Sequence, residues 1–246
     1  MGQQHSFFNS EKPNATVVLQ FNNVAGDQPL QLDSGVYTNA SGEKFSVTLL
    51  QYFISNIRFT ADDGKQYIVP QDSSYFFVQE DDSASHFCTV HVPNGNYKSV
   101  SFIVGVDSLR CTSKIDKRKG VLDLSATDMY WGWNSGYIFL KIEGISPSAP
   151  EDPIGLHKFR YHIGGFGGYK SSTINNIKTI NLDITNNVQL NANSKATIQI
   201  NADILKLFGG VQPVSIAANP SVMFDEYSSV IANNYASMFS IGEVKY

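Results

Sequence analysis

Residues 129–144 read MYWGWNSGYIFLKIEG, and this stretch carries the pattern that decides the fold. Ile138, Leu140 and Ile142 recur at every second position, which places apolar side chains on one face of a β-strand. Both tryptophans of the chain, Trp131 and Trp133, stand two residues apart just before this strand. In an extended backbone they project to the same face, either as packing filler or as an electron-rich, oxidisable site.

The same alternation recurs at residues 17–21, 100–106, 180–184 and 198–200. Turn residues punctuate these strands at 62–65 (DDGK) and 93–96 (PNGN), and the second of these is a strong hairpin signal. Apolar residues at helical spacing over 202–208 and 226–239 predict two short helices, the second with Asp225 as its cap. We therefore predict an all-β fold, an antiparallel β-sandwich with one or two short helices near the C-terminus.

The composition excludes several classes of function. A formal net charge of -4 over 246 residues gives no electrostatic reason to expect nucleic acid as a partner. No apolar run approaches the ~20 residues of a membrane span. Lys114, Lys117, Arg118 and Lys119 form a small basic loop, which we interpret as a solvated surface turn. No nucleophile with a plausible base and no catalytic motif is found, and Asp107 is interpreted as a turn cap, so we do not expect an enzyme.

The polar N-terminus lacks the apolar core of a signal peptide. We expect residues 1–13 to be disordered and residues 14–246 to form a single β-sandwich domain. Two cysteines, Cys88 and Cys111, permit one disulfide, although they look out of register across the expected hairpin. The sequence leaves open whether that bond forms.

A resemblance to a known family emerges when the motifs are taken in order. Residues 51–57 (QYFISNI), 92–97 (VPNGNY), 105–110 (GVDSLR), 131–144 (WGWNSGYIFLKIEG) and 161–166 (YHIGGF) occur in this sequence. Together they resemble the MbnP-like copper-binding family of methanobactin gene cassettes, and in particular its branch in Bacteroidetes-type bacteria. The resemblance runs from Val17 to about Phe239.

The resemblance implies a copper site, and histidines are the natural ligands for copper. His162 is the first candidate because it lies in the YHIGGF motif, with His157 or His91 as a second ligand. The alternative is that His162 is a half-buried histidine that hydrogen-bonds a loop. Copper-binding members commonly carry a histidine in the first strand after a phenylalanine, where this chain has Phe21-Asn22-Asn23, and asparagine is a poor copper ligand.

The resemblance also implies a partner. In the family a tryptophan can be oxidised to kynurenine by a dihaem peroxidase-like enzyme encoded nearby, and Trp131 or Trp133 would be the residue modified here. Calcium is a further metal to consider, because Asp62-Asp63, Asp72 and 80–82 (EDD) offer carboxylates, although none has an EF-hand spacing.

Two functions of different classes follow. The first is a non-enzymatic copper-binding or copper-handling protein of a bacterial cell envelope. The resemblance implies a periplasmic or outer-membrane-surface location, with export as a secreted lipoprotein whose signal has been removed. The second is a metal-free β-sandwich module for binding or adhesion, whose exposed aromatic residues recognise a protein or a saccharide.

Overall fold

The computed structural model of the protein describes residues 13–131 and 135–246. The predicted disordered segment 1–13 lies almost wholly outside these residues, as does Trp133. The strands are β1 (Ala15–Ala25), β2 (Gln28–Pro29), β3 (Tyr37–Thr38), β4 (Lys44–Ala61), β5 (Gln66–Ile68), β6 (Tyr75–Gln79), β7 (Phe87–Val92), β8 (Gly95–Val104), β9 (Tyr130–Trp131), β10 (Gly136–Ile145), β11 (Lys158–Gly164), β12 (Lys178–Leu190), β13 (Lys195–Asp203), β14 (Ser221–Val222) and β15 (Phe239–Lys245). The helices are α1 (Ser108–Cys111) and α2 (Ser228–Tyr235), with 3-10 turns at Gln71–Ser73, Ser83–His86, Ile115–Lys117, Gly120–Leu122 and Ile204–Phe208.

The strands form two sheets, which confirms the predicted β-sandwich. The smaller sheet has the order β15-β13-β1-β2, with β7 also paired to β1. The larger sheet has the order β12-β8-β4-β10-β11-β14, and the short strands β3, β5 and β6 extend β4 while β9 extends β10. Pairing is not wholly antiparallel, because β1 runs parallel to β13 and β11 runs parallel to β14.

Alternating residues of both sheets fill the space between them. Phe21 of β1 contacts Phe102 of β8 and Tyr52 of β4, with ring centroids 5.6 and 6.1 Å apart in edge-to-face geometry. These side chains and Leu140 of β10 are fully buried. The period-two pattern of the sequence thus corresponds to the inner faces of the sandwich.

A third layer covers the outer face of the larger sheet. Residues 106–131, here called the cap segment, contribute Val106, Cys111, Leu122 and Met129 to a second buried apolar cluster that also includes Phe53, Tyr137, Phe139 and Phe166 of the sheet side. Gly105, directly before this segment, has φ +118°, and a Cβ there would lie 2.6 Å from the ring of Phe139. Only glycine therefore lets the chain turn this closely onto the sheet.

The structure tests five local predictions from the sequence. The turn at 93–96 is not a hairpin, because β7 before it belongs to the smaller sheet and β8 after it to the larger one; the chain changes sheet there. The turn at 62–65 does join paired strands, β4 and β5.

The first predicted helix is the 3-10 turn Ile204–Phe208, and the second is α2, which ends before β15 begins. The side chain of Asp225 accepts from the N–H of Ser228, the first residue of α2, but the residue directly before this helix is Tyr227 and not the predicted Asp225.

Candidate metal-binding face and first-strand pocket

His162 lies on β11 and faces away from the inner core. Its strand neighbours Tyr161 and Ile163 are fully buried between the sheets, so alternation turns His162 to the outer face beside the cap segment. There Nε2 lies 2.7 Å from Oε1 of Glu143 on β10. The side chains of His162 and Glu143 are 14% and 29% exposed, so the pair is reached by solvent at one side.

The surroundings of His162 favour its neutral form. Burial lowers the pKa of the imidazole, the hydrogen bond to the Glu143 carboxylate opposes that shift, and the charge of Lys141 adds to the lowering. Lys141 is itself buried and makes an ion pair with the exposed Asp128. A neutral imidazole is the form that binds metal, and because Glu143 engages Nε2, Nδ1 is the nitrogen that a metal would use.

Trp131 packs on the same side of the sheet as His162. A Cβ built on Gly164, two residues beyond His162, would lie 3.0 Å from Cζ3 of the indole, so the ring covers this glycine. The indole is half-buried and meets the ring of Phe224 edge to face, with centroids 6.2 Å apart. The Cα atoms of His162 and Gly164 are about 7 Å apart in an extended strand, so the indole lies over a position two residues from the imidazole on the same face of the sheet.

The other two candidate histidines lie elsewhere. His157 precedes β11, hydrogen-bonds the carbonyl of Ala149 at 2.6 Å, and is about 16 Å along the strand from His162. His91 is on β7 of the smaller sheet, where its exposed ring lies 3.3 Å from Oγ1 of Thr16. The structure thus brings neither residue to His162. Across residues 13–131 and 135–246, no group of three or more His, Cys, Asp or Glu residues is arranged to hold a metal ion.

The carboxylates considered for calcium are engaged separately. Asp63 pairs with Lys65, Asp72 pairs with Arg110, and Glu80 accepts a hydrogen bond from Asn23. They do not converge on one point of the described structure.

Both cysteines are free thiols, so the disulfide that the sequence allows is not formed. Cys88 lies in the core between the sheets and Cys111 in the cluster under the cap segment, on opposite sides of the larger sheet. Burial raises the pKa of both thiols, that of Cys111 to about 12. Neither is therefore a reactive thiolate.

The first strand carries a second polar site that sequence reasoning missed. Asn23 is buried and uses both ends of its amide: Oδ1 accepts from the hydroxyl of Tyr52 at 2.8 Å, and Nδ2 donates to Oε2 of Glu80 at 2.7 Å. Nε2 of His86 lies 3.6 Å from the same Glu80 oxygen. This is the place at which the family resemblance implies a histidine.

A cavity of about 680 Å³ opens over these residues, with Asn22, Asp203, Lys206 and Met238 in its walls. Burial raises the pKa of the Glu80 carboxyl, while the hydrogen bond from Asn23 and the charge of His86 act in the opposite direction. One signal in the sequence could have found this site. Asn23 follows Leu19 and Phe21 at every second position of β1, so its side chain is expected on the same inward-facing side of the strand. An amide buried there needs hydrogen-bond partners.

The structure corrects the interpretation of the basic loop as a solvated turn. Arg118 is buried, with its guanidinium over the rings of Tyr130 and Tyr137 at 5.4 and 5.8 Å from their centroids. It donates to the carbonyls of Cys111 and Ser113 at 2.7 and 2.9 Å. Arg118 therefore ties the loop to the cap segment, whereas Lys114, Lys117 and Lys119 are exposed. Asp107 accepts from the N–H of Arg110 at the start of α1, which confirms its predicted capping role.

No helix in the described part of the chain has the length and apolar character needed to cross a bilayer. A search of curated protein sequences returns no match. Among solved structures, MbnP from Methylosinus trichosporium is similar in fold: it is 17% identical, with a TM-score of 0.59, and the match covers 82% of this chain and 79% of that one. The family model of MbnP matches residues 14–224, which is most of the sandwich and all of the cap segment. On this match the chain belongs to the MbnP family.

Proposed function

We propose that this protein is a non-enzymatic copper-handling protein of a bacterial cell envelope, and that the face formed by Trp131, His162 and Glu143 is where the metal binds. Membership of the MbnP family supports copper as the metal that the protein handles. The observation that carries the location is the placement of an indole over Gly164, two residues from a partly exposed imidazole whose Nε2 is held by a carboxylate and whose pKa is lowered by burial. A carboxylate that orients a histidine is a common arrangement around protein-bound metals.

The described residues do not complete a tight copper site. One imidazole is present on this face, and high affinity needs several ligands in fixed positions. We therefore propose that the unmodified chain binds copper weakly, and that oxidation of a tryptophan by a dihaem peroxidase-like partner supplies a further ligand. Such a role fits export to the periplasm or the outer-membrane surface, where metal is met before it enters the cell.

Calorimetric titration with copper tests the proposal. Wild type is expected to bind weakly, His162→Ala to lose that binding, and the matched control His91→Ala to keep it, because His91 is exposed on the other sheet. Equal binding by wild type and His162→Ala would remove His162 from the site. Titration after co-production with the partner enzyme would then show whether affinity rises.

A metal-free binding module is the second candidate, and one observation favours it. At the first-strand position, where the family resemblance implies a histidine, the amide of Asn23 instead bonds Tyr52 and Glu80 and forms a structural hydrogen-bond bridge. If neither the unmodified nor the partner-treated protein binds copper, the binding-module function is the better description.

A further inference from the structure

The cap segment presents a surface that neither the fold nor the copper proposal explains. Leu109 and Ile115 are 70% and 67% exposed, although they lie within a well-packed region. Between and beyond them stand the exposed side chains of Lys114, Lys117 and Lys119. Exposed apolar residues that are rimmed by polar and charged ones are typical of a protein-binding surface.

The charge of this surface is opposite to that of the whole protein. Residues 108–120, here called the basic surface, contain three exposed lysines (Lys114, Lys117 and Lys119) and two largely buried arginines (Arg110 and Arg118) against one carboxylate, Asp116. The full chain has a formal net charge of -4. Since the remainder is acidic, the basic surface is the part of the molecule that attracts an acidic partner and orients it during approach.

The basic surface is held in place from below and so can serve as a preformed site. The buried guanidinium of Arg118 anchors it to Tyr130 and Tyr137, and Oγ of Ser108 donates to the carbonyl of Phe166 at 3.0 Å. Nη1 of Arg110 donates to the carbonyl of Lys117 at 2.7 Å, and this bond connects the beginning of the basic surface to its end. A preformed surface avoids the entropic cost of ordering a loop on binding.

The ion pair between Arg110 and Asp72 shows how this surface can bind a carboxylate. Arg110 is largely buried, yet its ion-pair partner Asp72 has a side chain that is 87% exposed. The pair borders a cavity of about 600 Å³ lined also by Tyr75, Lys117 and Lys119. An arginine and two lysines thus border one solvent-open cavity, where the carboxylate of another protein would be attracted.

We propose that the basic surface is the docking site of an acidic protein, which contacts Leu109 and Ile115 through an apolar patch and the lysines through carboxylates. Tyr130, on which Arg118 stacks, is the strand neighbour of Trp131. A protein docked on this surface therefore lies against the end of the molecule that carries the Trp131 and His162 face. The proposal goes beyond copper handling, because it requires no metal.

A fluorescein-labelled synthetic helix of glutamate and leucine is the probe, with fluorescence anisotropy as the readout. We expect wild type to bind it and the affinity to fall as salt is raised. Lys114→Glu/Lys117→Glu/Lys119→Glu should weaken binding about tenfold, or ~1.4 kcal/mol. The matched control Lys44→Glu/Lys98→Glu/Lys195→Glu changes the net charge equally at exposed sites elsewhere and should bind nearly as wild type does. Leu109→Ser/Ile115→Ser should weaken binding of this probe but not of a probe with serine in place of leucine.

Equal losses in the two triple variants would overturn the proposal, because only net charge would then matter. So would absence of binding to the acidic helix, or binding confined to phosphatidylglycerol vesicles in sedimentation, which would make the surface a lipid-binding one. The substituted side chains are exposed, so unchanged thermal melting is expected to show that each variant is folded. Copper titration of the same variants should match wild type, which separates failure of this proposal from failure of the copper site.

Discussion

Asn23 and Glu80 are joined by a hydrogen bond of 2.7 Å that connects the two sheets of the sandwich, since β1 carries the amide and the chain leaving β6 carries the carboxylate. Tyr52 on the larger sheet donates to the same amide. One side chain thus satisfies two polar groups in a largely apolar interior. Buried polar groups must be paired, so this bridge is part of the stability of the fold.

Loss of the bridge should be costly. Asn23→Ala leaves the Tyr52 hydroxyl and one Glu80 oxygen without their partner, and we expect the free energy of unfolding to fall by about 1–3 kcal/mol. Asn22→Ala is the control, because Asn22 is only half-buried and its bond to Asn201 is long at 3.4 Å. Urea unfolding measures both, and equal losses would show that the bridge contributes nothing of its own.

Gly164 should tolerate no side chain. A Cβ at this position would lie 2.5 Å from the carbonyl oxygen of Tyr137 and 3.0 Å from the indole of Trp131. We expect Gly164→Ala to lower stability by about 1–3 kcal/mol and to shift tryptophan emission as the ring moves. Gly242→Ala, whose nearest neighbour would be 3.2 Å away on an edge strand, should have the smaller effect and leave emission unchanged.

Arg118 should matter more than the lysines on either side of it. Arg118→Ala removes hydrogen bonds to Cys111 and Ser113 and the stacking on two tyrosines, and we expect a loss of about 2–4 kcal/mol. Lys117→Ala and Lys119→Ala are exposed and should stay within ~0.5 kcal/mol of wild type. Thermal melts of the three variants give the comparison; similar melting temperatures would show that Arg118 does not anchor the cap segment.

His162 should make the protein less stable in mild acid. Its pKa is lowered in the folded state, so the unfolded chain takes up a proton first as the pH falls. The contribution of His162 is therefore complete above the unfolded pKa of about 6.5 and is lost as the pH falls through the folded value. His162→Gln should lose less stability than wild type between about pH 7.5 and pH 5. A wild-type profile for His162→Gln would contradict the assignment.

The thiols should be unreactive until the chain unfolds. Cys88 and Cys111 are buried, and burial raises the pKa of each. We expect Ellman's reagent to react slowly with native protein and to release two equivalents of thiol in denaturant. Reducing agent should leave the melting temperature unchanged. A fall in melting temperature on reduction would show that a disulfide forms after all.

The sequence predicted the parts of this fold that depend on local pattern. Alternation at Ile138, Leu140 and Ile142 identified a strand and its inner face, and the Asp107 cap followed from short-range chemistry. The sheet assignment of β7 and β8 did not follow, because a turn between two apolar runs looks the same whether the strands pair or separate. Arg118 was missed for a similar reason. A cation in a basic run is normally solvated, and only the packing of Tyr130 and Tyr137 around it shows otherwise.

The candidate site was likewise predicted only in part. His162 and Trp131 were chosen on motif and lie on the same face of the larger sheet, whereas His157 and His91 were chosen as residue types and lie far from them. The spacing of residues along one strand does not reveal which other strands will lie next to it in the folded protein. The bridge between Asn23 and Glu80 spans 57 residues of sequence, and its existence depends on that three-dimensional proximity.

The parallel pairing of β1 with β13 has a consequence for how the chain becomes folded. Thr16 pairs with Lys195 and Val24 with Asp203, so the first strand finds its central neighbour only after nearly two hundred residues are available. Contacts this distant in sequence slow folding, because the entropy of closing the loop is lost before the contacts form. Until then β1 presents the apolar residues Val17, Val18 and Leu19 on an open edge, which other unfolded copies could pair with. The slowest step in maturation should therefore be closure of the smaller sheet, and a chain truncated before residue 195 should aggregate rather than fold.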